Sequence, residues 1–268
     1  MAPPHQAWYA DPVEPAAQQA AVSRVPSPAP PPRGWPALRA TWRAILGALA
    51  LRGAAYAAMT AAAVWNELRP APTVPDLVLA AVPFVEWVAR ANYVVWLITY
   101  LPVVAALLWV SPRAFVRYNV TGALVSLARG ATLAMTGLGA PDPARAGPGI
   151  AGHDAWEAFL QLLSPWQVFA HGSMRAYLTK DLFFSGHTAT TFLVLLYVWP
   201  WPRLRWPALA GHLLAVASVI LAHLHYAIDV AGAYAVTFAL FALREGWPPR
   251  AGGGGAAATA PRAAPPRW

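Results

Sequence analysis

The sequence contains no cysteine, a single lysine and few charged residues of either sign. The absence of cysteine excludes disulfide bonds and thiolate chemistry. Charged residues make up 11% of the chain, whereas a soluble domain carries about a quarter. Because 58% of the residues are hydrophobic, this deficit indicates a chain that lies in a lipid bilayer.

The basic residues flank apolar segments and do not form one patch. The formal net charge is +8, and such a basic balance in a soluble chain can indicate nucleic-acid binding. Arginines at the ends of apolar segments are explained better by membrane topology. We therefore expect a lipid bilayer, and no nucleic acid, around this chain. The 14 Trp and 9 Tyr residues fit that expectation, because these side chains favour membrane interfaces.

Proline-, alanine- and glycine-rich tails occupy residues 1–37 and 247–268. Segments of this composition bury little and are typically disordered, although a Pro-rich stretch can also be a docking site for a partner. The N-terminal tail lacks the charged region and apolar core of a signal peptide. We expect two disordered cytoplasmic tails around a membrane domain at 38–246, which contains every candidate site residue.

Six apolar segments predict an all-α membrane protein with about six transmembrane helices and both termini in the cytoplasm. The fourth segment is short, and the last two share a stretch too long for one span, with a break expected near 223–229. A further segment, about Leu79–Val88, is predicted to be interfacial. The predicted spans are about Ile45–Trp65, Ala91–Val110, Phe115–Leu138, His187–Val198 and two within Trp206–Leu243.

The basic residues predict the orientation of these spans. With both tails inside, twelve arginines lie on the inner side and five basic residues on the outer side, as the positive-inside rule requires. Segments 66–90, 139–186 and 223–229 then face outward. The inner set is Arg24, Arg33, Arg39, Arg43, Arg113, Arg117, Arg203, Arg205, Arg244, Arg250, Arg262 and Arg267. The outer set is Arg69, Arg90, Arg145, Arg175 and Lys180.

A histidine and an aspartate four residues apart mark the first candidate site. On a helix, His225 and Asp229 would share one face. A carboxylate beside an imidazole fixes its tautomer, so the other ring nitrogen can act as nucleophile or base. A structural His–Asp hydrogen bond between packed helices is an equally weighted alternative.

A second histidine lies at the start of an apolar helix. His187 follows Ser185 and Gly186, and Ser185 can cap the helix while its free N–H groups attract a phosphate. A histidine at that point can protonate a leaving oxygen. Alone, it could equally be a solvated interfacial residue. Because both histidines are predicted on the same outer face, together they indicate a nucleophile, a general acid and an anion site.

These two segments resemble the sphingomyelin synthase family, within the type 2 phosphatidic acid phosphatase (PAP2) superfamily. The family pattern of an Asp four residues before Ser-Gly-His-Thr is met by Asp181, Ser185, Gly186, His187 and Thr188. The pattern His-Tyr-x-x-Asp is met by His225, Tyr226 and Asp229, with Tyr234 at the following aromatic. Weaker similarities lie in Val74–Leu77, which contains Asp76, and in Arg129 with Thr132 and Thr136. The resemblance covers about residues 40–243.

The resemblance implies a metal-free enzyme without cofactor. His225, oriented by Asp229, would attack the phosphorus of a phospholipid donor, and His187 would protonate the departing diacylglycerol. A lipid hydroxyl would then take the phospho-head group, with ceramide as the expected acceptor and diacylglycerol as the alternative. The sequence has Thr179-Lys180 where the family has Cys-Gly, and it lacks the phosphatase motifs Lys-x6-Arg-Pro and Ser-Arg-x5-His, which favours transfer over hydrolysis.

Other functions stay open at this point. Water as acceptor would make the same site a lipid phosphate phosphatase or a phospholipase C. A non-catalytic lipid-binding protein is a third possibility, against which the intact His-His-Asp set counts. The sequence does not choose between choline, ethanolamine, inositol and glycerol head groups, and it says nothing of oligomeric state. Its Arg- and Ala-rich composition favours a bacterial inner membrane with a periplasmic site.

Several further residues are candidates for supporting roles. Arg129 lies inside an apolar span, where it can contact a substrate phosphate or pair with a buried carboxylate; the two are weighted evenly. Glu157 is a candidate for polarising a histidine, whereas Asp154 is interpreted as an ordinary loop carboxylate. His223 and His225 form a His-x-His pair that can bind metal, but no further ligand cluster supports a metal site.

Overall fold

The computed structural model describes residues 34–147, 149–150, 154–164 and 178–246. Within these ranges every regular element is an α-helix, and there are eight. Of the predicted tails, 1–37 and 247–268, only residues 34–37 are among the described residues. The helices are α1 Trp35–Glu67, α2 Leu77–Ala81, α3 Glu86–Val110, α4 Pro112–Thr136, α5 Ala155–Leu163, α6 Gly186–Val198, α7 Pro202–Leu221 and α8 Ala227–Glu245.

Capping residues explain where the helices begin and end. Ser111 accepts a hydrogen bond from the Ala114 amide at the start of α4, with Pro112 at the first helical position, where its missing N–H costs nothing. Gly137 ends α4 in the left-handed conformation, at φ 56°. The predicted break between the last two spans is confirmed, since α7 ends at Leu221 and α8 begins at Ala227.

Four helices among the described residues, α1, α3, α7 and α8, are long and apolar enough to cross a membrane. These apolar helices fit a multi-pass integral membrane protein. The other two predicted spans correspond to α4 and α6. Helix α4 has 25 residues but buries polar side chains such as Asn119 and Ser126, and α6 has only 13 residues. The count of six spans therefore stays a prediction.

Helix α4 lies at the centre of the bundle and packs closely along α1. Gly130 lies so near α1 that a Cβ atom there would be 3.1 Å from the Met59 Cα atom. Small residues allow this close backbone approach between membrane helices, where packing rather than the hydrophobic effect drives association. The contact fixes α4, and the polar residues it carries, against α1.

The segment predicted to be interfacial is broken into two pieces. Residues 77–81 form the short helix α2, and residues from Glu86 onward already belong to α3. Asp76 caps α2 by accepting hydrogen bonds from the amides of Val78 and Leu79 at 2.8 and 3.1 Å. The segment thus joins α1 to α3 through a capped turn of helix.

Candidate active site

One cavity of about 270 Å³ brings the two histidine segments together. Its wall is formed by α1, α3, α4 and the first turn of α6, and by the non-helical residues around 178–182 and 224–225. His187, His225, Asp181, Gly186 and Arg129 all line it. Residues separated by almost one hundred positions in the sequence therefore face the same space.

Asp229 holds His225 from the first turn of α8. Its Oδ2 atom lies 3.2 Å from His225 Nδ1 and accepts a hydrogen bond from the Tyr226 amide at 3.1 Å. Asp229 is fully buried. The sequence predicted that the two residues share one face of a helix, and this prediction is wrong. Helix α8 begins at Ala227, and His225 precedes its cap. Asp229 instead reaches back over the helix start.

His187 occupies the second position of α6, and its position at the start of the helix is as predicted. Ser185 is the N-cap, and its side chain accepts a hydrogen bond from the Thr188 amide at 3.4 Å. The Nε2 atom of His187 is buried and has no hydrogen-bond partner among the described residues. The Trp96 ring packs on the imidazole at a steep angle, with centroids 5.4 Å apart. His187 therefore presents an unpaired ring nitrogen beside the cavity.

Helix α4 holds the backbone of the segment that precedes His187. Arg129 Nε donates to the Phe184 carbonyl at 2.6 Å, and Thr132 Oγ1 donates to the Phe183 carbonyl at 2.8 Å. The Ser185 amide donates to the Asp229 carbonyl at 3.1 Å. Non-helical backbone inside a membrane protein requires such partners. Arg129 and Thr132, which the weaker similarity singled out, thus support this segment, and the three contacts tie α4, α6 and α8 together.

Buried Arg129 and partly exposed Asp181 form an ion pair, with Nη2 and Oδ1 2.8 Å apart. Of the two roles weighed for Arg129, the pairing with a carboxylate is present, while the guanidinium also lines the cavity. Burial alone would raise the pKa of Asp181, but the charge of Arg129 and its hydrogen bond outweigh burial and lower that pKa. Asp181 is therefore an anion at neutral pH.

Gly186 allows the guanidinium of Arg129 to lie against the start of α6. A Cβ atom at position 186 would be 3.3 Å from Arg129 Cζ. A positive group held at a helix start reinforces the attraction of that end for an anion. The Ser-Gly-His sequence thus supplies, in order, a cap, room for the guanidinium and an imidazole.

Asp76 and Tyr226 connect the first predicted outer loop to the histidine segment. Asp76 Oδ2 accepts a hydrogen bond from the Ala227 amide at 2.6 Å. The Tyr226 hydroxyl donates to the Gly139 carbonyl at 2.9 Å and accepts from the Val74 amide at 3.2 Å. Neither side chain is among those that line the cavity. Both hold the segment that carries His225.

Glu67 has a positioning role that sequence reasoning missed. Its carboxylate accepts hydrogen bonds from the amides of Thr179 and Lys180, both at 2.8 Å, and from the Thr179 hydroxyl at 2.5 Å. Glu67 thereby fixes the segment that leads to Asp181. A signal was present, because a carboxylate at the C-terminal end of a helix opposes the helix dipole and needs donors elsewhere.

The remaining candidates lie outside this arrangement. Glu157 is exposed on α5, where it accepts a hydrogen bond from Gln161 at 2.9 Å, and it does not line the cavity. Asp154 caps α5. Tyr234 contacts His212 Nε2 at 2.7 Å, away from the cavity. His223 contacts the Val82 carbonyl at 3.0 Å. Among the described residues no group of three or more His, Asp or Glu side chains is placed to hold a metal ion.

Comparisons with known proteins agree with the resemblance. Residues 180–245 match the family model described as PAP2 superfamily C-terminal. Over 182 residues, 65% of this chain, the sequence is 25% identical to "Sphingomyelin synthase-related protein 1" of Mus musculus and of Homo sapiens. The chain spans 38% and 44% of the length of these two relatives.

The predicted resemblance to the sphingomyelin synthase-like proteins of the PAP2 superfamily is thereby confirmed. The matched region contains His187, His225 and Asp229. The named relatives are mammalian, so they lend no support to the expectation of a bacterial inner membrane.

Proposed function

We propose that this sphingomyelin synthase-like chain transfers a phospho-head group from a glycerophospholipid to a lipid hydroxyl, with ceramide as the leading acceptor. The observation that carries the proposal is the convergence of His187 and His225 on one cavity. One imidazole has a buried carboxylate on Nδ1, and the other presents an unpaired Nε2. This is the pairing that two-step nucleophilic transfer requires.

In the first step, His225 acts as the nucleophile. Asp229 accepts from Nδ1 and so leaves the lone pair on Nε2. Nε2 attacks the phosphorus of the donor, a P–N bond forms, and the P–O bond to diacylglycerol breaks. His187 in its protonated form gives its proton to the departing oxygen. The products are diacylglycerol and a phosphohistidine that carries the head group.

In the second step, the roles of the same groups reverse. His187, now neutral, takes the proton of the acceptor hydroxyl. The acceptor oxygen attacks phosphorus, a P–O bond forms, and the P–N bond to His225 breaks. The phosphate bears negative charge throughout, and the guanidinium of Arg129 and the N–H groups at the start of α6 lie where that charge is stabilised. The cycle uses no nucleotide and no metal ion.

The site is proposed to face the outer side of the membrane. The distribution of basic residues supports this orientation, with twelve inside and five outside. The count rests on six spans and two cytoplasmic termini, which are part of the same proposal. Accessibility of a cysteine introduced at exposed Thr73 to a membrane-impermeant reagent tests it directly, since the chain has no other cysteine.

Lipid analysis of the reconstituted protein tests the function. Purified protein receives labelled ceramide, labelled diacylglycerol and a mixture of phospholipid donors. A new phospholipid made from either acceptor, lost in both His225→Ala and His187→Ala, is the expected result. Thermal unfolding and size-exclusion chromatography of each variant check that it is folded.

Two other outcomes would replace the proposal. Release of water-soluble phosphate or head group without acceptor product would make the chain a hydrolase that uses water at the same site. Lipid binding without turnover of any donor would make it a non-catalytic lipid-binding protein.

A further inference from the structure

The cavity contains a second guanidinium, that of Arg52, to which the proposed mechanism assigns no role. Arg52 lies near the middle of α1 and lines the same cavity as the histidines. Its Nη1 atom donates a hydrogen bond to Ser126 Oγ at 3.1 Å. It packs over Gly122, where a Cβ atom would be only 2.6 Å from Nη1. The α4 surface therefore leaves room for this side chain beside the cavity.

Arg52 has no acidic partner among the described residues. Each ion pair found there involves other residues, and Asp181, a carboxylate on the cavity wall, pairs with Arg129. An arginine inside an apolar helix is costly, and such residues usually pair or serve a ligand. Its guanidinium carries five N–H donors, of which the Ser126 contact uses one. The cavity therefore holds one uncompensated positive charge at this point.

Arg52 lies along the cavity from the level of Arg129. Met59, whose Sδ atom contacts Arg129 Nη1 at 3.4 Å, is seven residues further along α1. At 1.5 Å per residue, the two positions are about 10 Å apart along the helix axis. Because Arg52 and both histidines line one cavity, a head group on a phosphorus atom held at the histidines can extend toward Arg52.

Aromatic side chains also line the cavity, namely Tyr56, Tyr93, Trp96 and Tyr100. Trp96 and Tyr100 stack on each other with nearly parallel rings, 5.1 Å apart and 9° between planes, which covers one face of each. A cation on a free ring face gains a modest stabilisation. Repulsion by an unpaired guanidinium within about 4 Å of the cation, near a protein surface, is larger than this gain.

We propose that Arg52 is a head-group subsite that selects a donor lipid whose phospho-head group bears hydroxyls and no cation. Phosphoglycerol and phosphoinositol have this chemistry. A trimethylammonium or ammonium head group would meet the unpaired charge of Arg52 at close range, and like charges in a site shielded from water repel strongly. The inference rests on the proposed function, because it assigns the donor of that reaction.

The experiment is an internal competition between donors. Wild-type protein, Arg52→Gln, Arg52→Lys and Arg43→Gln are reconstituted with equimolar phosphatidylglycerol, phosphatidylinositol, phosphatidylethanolamine and phosphatidylcholine, each with a distinct isotope label. Ceramide and diacylglycerol are supplied as acceptors. Product ratios report relative kcat/KM, and they do not depend on how much of a variant is folded. Arg43→Gln removes the same charge from an exposed position of the same helix.

We expect wild-type protein and Arg43→Gln to use the glycerol or inositol donor at least about tenfold more than either cationic donor. Arg52→Gln should lower that preference about tenfold, and Arg52→Lys should lower it less because it keeps the charge. The isotope label of the product shows whether phosphatidylglycerol or phosphatidylinositol, the two donors without a cation, was used. A wild-type preference for a cationic donor, or an equal loss for all donors in Arg52→Gln, would overturn the assignment.

A binding measurement separates failure of this inference from failure of the proposed function. His225→Ala protein in nanodiscs is given short-chain phosphatidylglycerol or phosphatidylcholine, and retained lipid is quantified by mass spectrometry. Preferential retention of phosphatidylglycerol, lost on adding Arg52→Gln, supports the subsite even if no donor is turned over. Equal retention of the two lipids contradicts it even if transfer occurs.

Discussion

Arg129 and Asp181 join α4 to the segment before His187 through an ion pair of 2.8 Å. The same guanidinium donates to the Phe184 carbonyl and lies against Gly186. The charge of Arg129 is thereby held at the start of α6, where the proposed reaction places a phosphate.

The first prediction concerns the pH dependence of this pair. Asp181 has a lowered pKa in the folded protein, so its ionised form is favoured by folding. The stabilisation is fully present above the unfolded value of 3.8 and is lost as pH falls through the lower folded value. Asp181→Asn leaves Arg129 without its charged partner and should cost about 1–3 kcal/mol, because the Asp181 side chain is 25% exposed. Its deficit in thermal stability should be constant from about pH 5 to 8 and should shrink below about pH 4.

Thermal unfolding in detergent at several pH values measures this deficit. Asp142→Asn is the control, because Asp142 pairs with Arg145, whose side chain is 53% exposed, and such pairs contribute little. If Asp181→Asn is as stable as wild type at pH 7, the prediction is wrong.

The second prediction tests the negative charge of Asp229, whose Oδ2 atom makes both contacts. In Asp229→Asn an amide oxygen in the place of Oδ2 can still accept from the Tyr226 amide and from His225 Nδ1, but the charge that stabilises the protonated or phosphorylated imidazole is removed. We expect kcat to fall about 10²-fold or more, with stability within about 1 kcal/mol of wild type. Asp229→Ala should lose both activity and about 2 kcal/mol of stability. Turnover and melting temperature of Asp229→Asn and Asp229→Ala test this prediction. Full activity of Asp229→Asn would show that the charge of Asp229 has no part in the mechanism.

The third prediction tests Glu67 as a positioning residue. The Glu67 carboxylate accepts hydrogen bonds from three donors, which are the Thr179 amide, the Thr179 hydroxyl and the Lys180 amide. Glu67→Gln leaves a single acceptor oxygen for these three donors. We expect a loss of about 1–3 kcal/mol in stability and about tenfold in kcat, with KM nearly unchanged. Glu86→Gln, at an exposed carboxylate paired with Arg90, is the control. An unchanged kcat beside the lower stability would limit Glu67 to a structural role.

The fourth prediction uses the close approach of Gly186 to Arg129. In Gly186→Ala the new methyl group would sit 3.3 Å from Cζ, so the guanidinium has to move by a few tenths of an ångström. The free energy of unfolding should change little, because the helix preference of alanine over glycine, about 1 kcal/mol, offsets the cost of displacing the guanidinium. We expect kcat to fall about tenfold. Gly47→Ala, where no atom lies within 4 Å, should gain stability and keep full turnover. Equal turnover of the two variants would refute the role of this contact.

The helices were predictable where apolar composition and capping residues determine them. Both ends of α4 and α6 and the C-terminal end of α3 lie close to the expected positions, because Ser111 and Ser185 begin helices and prolines interrupt them. Helix α3 begins earlier than expected, at Glu86 and not at about Ala91. Helix α1 begins ten residues earlier than predicted, at Trp35. Apolar run length defines the membrane-buried part of a helix but does not limit its extension into water.

The grouping of the two histidines with Asp181 was predictable from the sequence, whereas the contacts that hold these residues in place were less so. His187, His225 and Asp181 were expected together, and they line one cavity. Glu67, Asp76 and Thr132 act through backbone groups far away in sequence. Such contacts leave no periodic pattern in the sequence, because any residue type can offer the backbone partner. Glu157 could not be placed from its helical spacing alone, since that spacing does not say which face meets the bundle.

Asp229 uses a single carboxylate oxygen, Oδ2, to receive both the Tyr226 amide and His225 Nδ1. Natural selection on helix formation and natural selection on the proposed catalysis would therefore act on the same atom. A descendant of this chain without the proposed activity would still need an acceptor at position 229 to begin α8. Among diverging copies, His225 and His187 would be free to drift first, so the presence of an aspartate at this position does not distinguish a working enzyme from an inactive one.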